Sequence, residues 1–254
     1  VTQPLDSITR VIAGPGSGKT RVLTCRIAWL LANTDHDRIL GVTFTKKAAS
    51  EMQQRIEKLA PVDRVTLGTF HSVCAKILRF NGDLLGSLPC VVSDMARSQN
   101  QTSLDSSFTI VDQGEQLRII KEVLVEYDID LKQFKDLRPL QVLNAIGRVK
   151  AELAEGKNPF DDKKTGQKSS PAARIALQVY SACRERLLAT NCLDFDDLLY
   201  LTRELLQRHD SVRERLQRTW KHVLVDEFQD TSQCQMDLVK LLTSSSLFVV
   251  GDAD

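Results

Sequence analysis

The sequence predicts an α/β protein: a parallel sheet with helices on both faces, interrupted by an all-helical insertion. Three observations carry that expectation. Residues 1–80 alternate short apolar strand patterns with helix-period patterns, the rhythm of repeated strand–helix units. Residues 111–193 keep the helical period and lose the strands. From residue 194 the alternation resumes and runs to the end of the 254-residue chain.

In order, Ile8–Ala13 reads as a strand and Lys19–Leu31 as a helix. Ile39–Phe44 is a second strand, and Lys46–Leu59 a helix ended by Pro61. Val65–Thr69 is a third strand, leading into a helix that runs to Phe80. Asn81–Ser107 is rich in Ser, Asn, Gln, Asp and Gly, with one apolar run at Leu88–Val92, and is expected to be a mobile surface loop. Gln113–Tyr127, Pro139–Glu155 and Pro171–Thr190 all show helical spacing. The latter two begin with Pro, whose missing N–H costs nothing in a first turn. The polar stretch "GKNPFDDKKTGQKSSP" between them is expected to be poorly ordered. "DFDDLLYLTRELLQR" is helical, "HVLVDE" a buried strand tipped with acids, Ser232–Leu242 a helix, and "LFVVGD" a last strand. The expected domains are residues 1–110, 111–193 as the helical insertion, and 194–254 completing the first domain.

The formal net charge of +1 is unevenly spread: +4 over residues 1–110, +2 over 111–193 and −5 over 194–254. No bulk basic balance announces a nucleic-acid partner, so any such partner must be read from local chemistry. Six scattered cysteines without a C-x-x-C pair imply the thiols of an intracellular protein, and four scattered histidines offer no metal-ligand spacing. No apolar run approaches the length of a membrane span, and Val1–Arg10 lacks a signal-peptide layout. The expected location is intracellular: nucleus in a eukaryote, cytoplasm in a bacterium.

"VIAGPGSGKTRVL" places the most flexible residues of the chain between a strand and a helix. Gly16 and Gly18 let the backbone curl so that several N–H groups point at one anion. Lys19 adds a positive charge, Thr20 a hydroxyl suited to Mg²⁺, and the new helix its positive end. The pattern G-x-x-x-x-G-K-[ST] is met except at its first position, which is Ala13. An ordinary glycine-rich turn is the alternative, and the strand–turn–helix context argues against it. "KHVLVDEFQDTS" supplies acids at the carboxyl end of a strand, where ligands of parallel sheets sit. Asp226 suits Mg²⁺ beside Thr20, and Glu227 suits the orientation and deprotonation of an attacking water. Adjacent carboxylates at a strand end are expected to point to opposite faces and do different work. Cradle, metal acid and base together read as hydrolysis of a nucleoside triphosphate.

The stretches "AGPGSGKTRVL", "GVTFTKKAASEM", "LGTFHSVCAKILR", "LDFDDLL", "VLVDEFQDTSQCQ" and "VVGDAD" occur in the order found in UvrD/Rep-type superfamily-one DNA helicases, which this chain resembles over nearly its whole length. The resemblance implies the first of two RecA-like P-loop NTPase domains, with the helical stretch as a subdomain inserted in it. It implies that Ala13, Gly14, Pro15, Gly16, Ser17, Gly18, Lys19 and Thr20 bind ATP phosphates, with Arg21 beside the nucleotide. Catalysis then falls to Glu227, Asp226 and Lys19, and Mg²⁺ to Thr20 and Asp226. Single-stranded DNA, free or as the tail of a duplex, is implied at Phe44, Thr45 and Lys46 and at Thr69, Phe70 and His71. From the residues alone, Phe44 and Phe70 are equally stacking platforms or core residues. Asp194 reads as a helix N-cap, with Asp196 and Asp197 in the first turn.

Several features depart from the family pattern. Gln3 lies too close to Lys19 to be the upstream adenine-reading Gln. The chain stops at "GDAD", before the expected γ-phosphate-sensing Gln and DNA-stacking aromatics. A second RecA-like domain, with the arginines that complete the site, is not in the sequence. Asn81–Ser107 is longer than is usual in the family. The expectation is therefore the amino-terminal motor fragment of an ATP-dependent DNA helicase or translocase. The alternatives are a truncated, non-catalytic nucleotide- and DNA-binding module, or the motor part of a helicase–nuclease.

Overall fold

The computed structural model of the chain describes residues 1–88, 104–134, 137–154, 157, 159–160 and 170–252. Its strands are β1 (Ile8–Ile12), β2 (Arg38–Thr43), β3 (Val65–Thr69), β4 (Thr109–Ile110), β5 (Cys192–Leu193), β6 (Trp220–Val225) and β7 (Ser246–Gly251). The helices are α1 (Lys19–Asn33), α2 (Lys46–Glu57), α3 (Phe70–Phe80), α4 (Gly82–Leu85), α5 (Gln113–Glu126), α6 (Pro139–Ala154), α7 (Pro171–Ala189), α8 (Phe195–Arg208), α9 (Asp210–Thr219) and α10 (Gln233–Leu242). The chain divides into two compact units, Val1–Cys74 with Leu206–Asp254, and Ala75–Leu205.

The first unit is built on a five-stranded sheet in the order β1-β7-β6-β2-β3. Every pairing in it is parallel, as the strand–helix rhythm predicts. Strands β2, β6 and β7 are almost wholly buried and correspondingly apolar, whereas β1 at the edge exposes Ile8, Arg10 and Ile12. On one face Leu23, Ile27, Leu30 and Leu31 of α1 and Met52 and Ile56 of α2 pack on Ile39, Leu224, Phe248 and Val250. Val223, Val225 and Val249 alternate to the other face and are buried as well. The fully buried Arg26 donates to the carbonyls of Val1, Gln3 and Pro4 and lies over the rings of Trp29 and Phe248, which pins the first residues against α1.

In the second unit α5, α6 and α7 share one core, with Ile120, Val123, Val142, Ile146, Val149, Ile175, Val179 and Tyr180 at its centre. The unit is not helical throughout. Its β4 and β5 form a parallel two-stranded ladder, Thr109 opposite Cys192 and Ile110 opposite Leu193. The chain thus leaves for the helices and returns from them at one place. Strands of two residues carry no alternation for a sequence reading to find.

Other differences have equally local causes. The expected loop at Asn81–Ser107 contains α4, and Leu85, Leu88 and Leu104 are buried apolar anchors at its two ends; residues 89–103 lie outside the described residues, as does most of the polar stretch before Pro171. Helix α9 escapes notice because only Val212 of its ten residues is buried, so it shows almost no apolar period. None of the described cysteines forms a disulfide. Among the described residues no helix is long and apolar enough to cross a membrane.

Candidate functional site

The site lies at the carboxyl ends of β1, β6 and β7, all in the first unit. After β1 the backbone of Ala13 still donates to Gly251, continuing the ladder, and then the chain turns. The N–H and the Oγ of Ser17 both donate to the carbonyl of Gly14, at 3.3 and 2.6 Å, which closes the turn. Gly16 (φ 72°) and Gly18 (φ 92°) sit in left-handed conformations that a side chain would strain. Helix α1 begins at Lys19 with no side chain capping its first-turn N–H groups and no acid in that turn. Those donors therefore remain available to an anion. Arg21 is exposed on the same turn.

At the end of β6, Asp226 donates its N–H to the carbonyl of Val42 (2.9 Å) and is buried. Its Oδ2 accepts from the Thr20 hydroxyl at 3.4 Å, and its Oδ1 from the N–H of Glu227. Burial, and then the neighbouring Glu227, raise the Asp226 carboxyl above its ordinary pKa. Glu227 leaves the extended conformation altogether, with φ 48° and ψ 48°. That turn undoes the alternation expected of adjacent residues at a strand end. Both carboxylates converge on the glycine-rich loop, Asp226 on Thr20 and Glu227 on Lys19, whose Nζ is 3.4 Å from Glu227 Oε2.

A third acid, given no role in the sequence reading, completes the cluster. Asp252, one residue beyond β7, places Oδ1 2.7 Å from Lys19 Nζ. Gln229 holds it there: its Oε1 accepts from the Asp252 N–H (2.9 Å) while its Nε2 donates to Glu227 Oε2 (3.0 Å). Gly251 makes this possible, since a Cβ there would meet Gln229 Oε1 at 2.6 Å. Lys19 is only 8% exposed, and its ammonium is held above its ordinary pKa, first by the Asp252 carboxylate beside it and against the cost of burial. The cue missed in the sequence is topological: only the sheet order brings the end of β7 beside the loop after β1.

The other expected residues cluster at the ends of β2 and β3, where Thr43 lies opposite Thr69. Phe44 is 40% exposed. Thr45 caps α2, accepting from the N–H of Ala48, and Lys46 and Lys47 are exposed in its first turn. Thr69 is buried and accepts from the N–H of Ser72, and His71 is half-buried. Phe70 is only 5% exposed and has almost no ring surface to offer, so Phe44 alone of the two presents an aromatic face.

The donor set suits a Mg-nucleotide. Uncapped helix N–H groups and an ammonium face the same place as a hydroxyl and a carboxylate, and Mg²⁺ is commonly held by one or two such oxygens together with substrate phosphates. Among the described residues no group of three His, Cys, Asp or Glu side chains has the geometry to hold a metal by itself.

Residues 1–254 match the family described as the UvrD/REP helicase N-terminal domain. Among curated proteins, an ATP-dependent DNA helicase PcrA of Staphylococcus aureus is 39% identical over 250 residues, which is 96% of this chain and 31% of that protein. An ATP-dependent DNA helicase PcrA of Staphylococcus epidermidis is 38% identical over the same shares. The chain spans about a third of the length of these relatives.

Proposed function

The chain belongs to the UvrD/REP helicase N-terminal domain family, and from that premise we propose that it is the ATP-hydrolysing part of a DNA helicase motor, working on single-stranded DNA or on duplex with a single-stranded tail. One observation carries the reading: Lys19 and Thr20 of the glycine-rich turn meet Glu227 and Asp226 at the end of β6. The residues from Ala13 to Thr20 cradle the phosphates, with Lys19 and the first-turn N–H groups of α1 opposite their negative charge and Arg21 alongside. Thr20 and Asp226 hold Mg²⁺. The ion, when bound, draws charge from the phosphate oxygens. Glu227 takes the proton of the attacking water as its oxygen bonds to the γ-phosphorus and the bond to ADP breaks.

The finer architecture is part of the proposal. A RecA-like domain made of residues 1–110 and 194–254 carries a helical subdomain, residues 111–193, inserted at the β4–β5 ladder. The exposed ring of Phe44 with Thr45 and Lys46, together with Thr69 at the end of β3 and His71 in the first turn of α3, forms the single-strand contact. A second motor domain completes the nucleotide cleft. The bacterial relatives support the cytoplasmic option for its location; nothing supports the nuclear one.

The test is a titration of the full-length protein with a fluorescent ATP analogue. Lys19→Ala removes a charge-assisted phosphate contact and lowers affinity by about tenfold to a hundredfold. Unchanged affinity would sink the assignment.

A further inference from the structure

Resting on that nucleotide reading, we propose that Asp252 is the rival of nucleotide phosphate for Lys19, and that it makes the site discriminate against nucleotide without Mg²⁺. An ammonium has three N–H donors and no acceptor. Two of the directions around Lys19 Nζ are already taken, by Asp252 Oδ1 at 2.7 Å and Glu227 Oε2 at 3.4 Å. At 8% exposure the ammonium has little water around it, so a phosphate oxygen that reaches the third donor does so beside two carboxylates already in place. Asp252 holds the closer position, and a phosphate oxygen drawn to Lys19 meets its negative charge there.

The charges decide which nucleotide can win this exchange. Glu227 and Asp252 pair with the one ammonium and Asp226 stands beside Thr20, so the cluster carries a local excess of two negative charges. A bare triphosphate adds to that excess, whereas Mg²⁺ offsets two of its charges. Asp252 is not drifting near the lysine by chance of a long side chain. Its backbone is fixed by Gln229, whose amide holds the rival acid through Oε1 and Glu227 through Nε2. Asp252 is a positioning and specificity residue here, acting through Lys19 and not on the reacting atoms.

The experiment titrates the full-length protein with a fluorescent ATP analogue at fixed ionic strength, once with EDTA and once with excess Mg²⁺. Asp252→Asn keeps the shape and the backbone bond to Gln229 while removing the charge. It binds the metal-free analogue roughly tenfold tighter than wild type, the scale of one unit charge removed several ångströms from a phosphate at a partly buried site. With Mg²⁺ the gain is smaller. Asp252→Glu, which keeps the charge, restores wild-type discrimination. Affinity that is unchanged or weaker in Asp252→Asn overturns the proposal, and weakening confined to Mg²⁺ makes Asp252 a cation ligand instead. A wild-type protein that binds no analogue overturns the nucleotide reading itself. A wild type that binds, beside an Asp252→Asn that binds no tighter, overturns only the role of Asp252.

Discussion

Glu227 combines a chemical and a conformational demand in one residue. A non-glycine residue in the left-handed region costs on the order of 1–2 kcal/mol, and here the cost brings its carboxylate onto the side of Asp226, toward Lys19. Glycine at this position would relax the backbone and lose the acid. Under the proposed mechanism Glu227→Gln in the full-length protein keeps the geometry, because an amide is isosteric. Nucleotide binding is then retained while turnover falls by about 10²–10⁴-fold. Steady-state hydrolysis beside an analogue titration measures both, and near wild-type turnover would assign the proton to another group. Much of this cluster was legible in the sequence, because Gly16, Gly18, Lys19 and Thr20 and the Asp226–Glu227 pair are local patterns with a mechanism attached. Asp252 was not. Its role depends on β7 lying between β1 and β6, and no spacing along the chain shows which strands become neighbours.

Among the elements, α8 shows how much a short motif can hold. Asp194 and Asp197 cap the helix reciprocally, the Asp197 N–H donating to Asp194 Oδ1 at 2.9 Å and the Asp194 N–H to Asp197 Oδ2 at 3.2 Å. The cap was readable from "LDFDDLL"; the cations that meet it were not. Lys150 of α6 reaches both carboxylates, at 2.5 and 2.9 Å, and Arg184 of α7 reaches Asp197 at 2.6 Å, all four groups being buried. Against the cost of burial, Lys150 and Arg184 hold the Asp197 carboxyl well below the usual carboxylate range. Burial and the adjacent Asp197 push Asp194 up to about 6. Three helices are thus tied at one buried knot of charge. Asp197→Asn leaves two buried cations facing one carboxylate and costs about 3–5 kcal/mol of stability. Denaturant unfolding of the full chain followed by circular dichroism checks this, and a loss under about 1 kcal/mol would mean that the cluster contributes little net stability. Helices α6 and α7 were found at the right starts because Pro139 and Pro171 mark first turns. Helix α9, nearly all polar, had no such mark.

At the scale of the molecule, composition suggests a division at residues 110 and 193, whereas compactness divides the chain at Cys74 and Leu205, inside α3 and α8. Helices do not announce in sequence where they stop belonging to one core. Residues 1–254 by themselves retain Phe44, Lys46, Lys47 and His71 and are expected to bind single-stranded DNA weakly, without unwinding duplex. With few phosphate contacts, affinity falls by about 0.7 log units per log unit of salt for each contact. Unwinding needs a second domain for the nucleotide cleft to close against, and arginines that stabilise charge on the transferring phosphoryl group. Fluorescence anisotropy and strand-displacement assays on this fragment decide the matter. ATP-dependent unwinding would show that one domain suffices.

The sheet order also sets a schedule for synthesis. Of the described strands β1 emerges first from the ribosome, yet the only one it pairs with is β7, the last of them to emerge. At about 5–20 residues per second, translation of the intervening Ala75–Leu205 unit alone takes on the order of ten seconds. That unit is continuous in sequence. The glycine-rich loop meanwhile waits on an unpaired strand, with Lys19 made and neither of its carboxylate partners yet translated. The cluster around Lys19 therefore assembles in one step, when β7 slides in between β1 and β6.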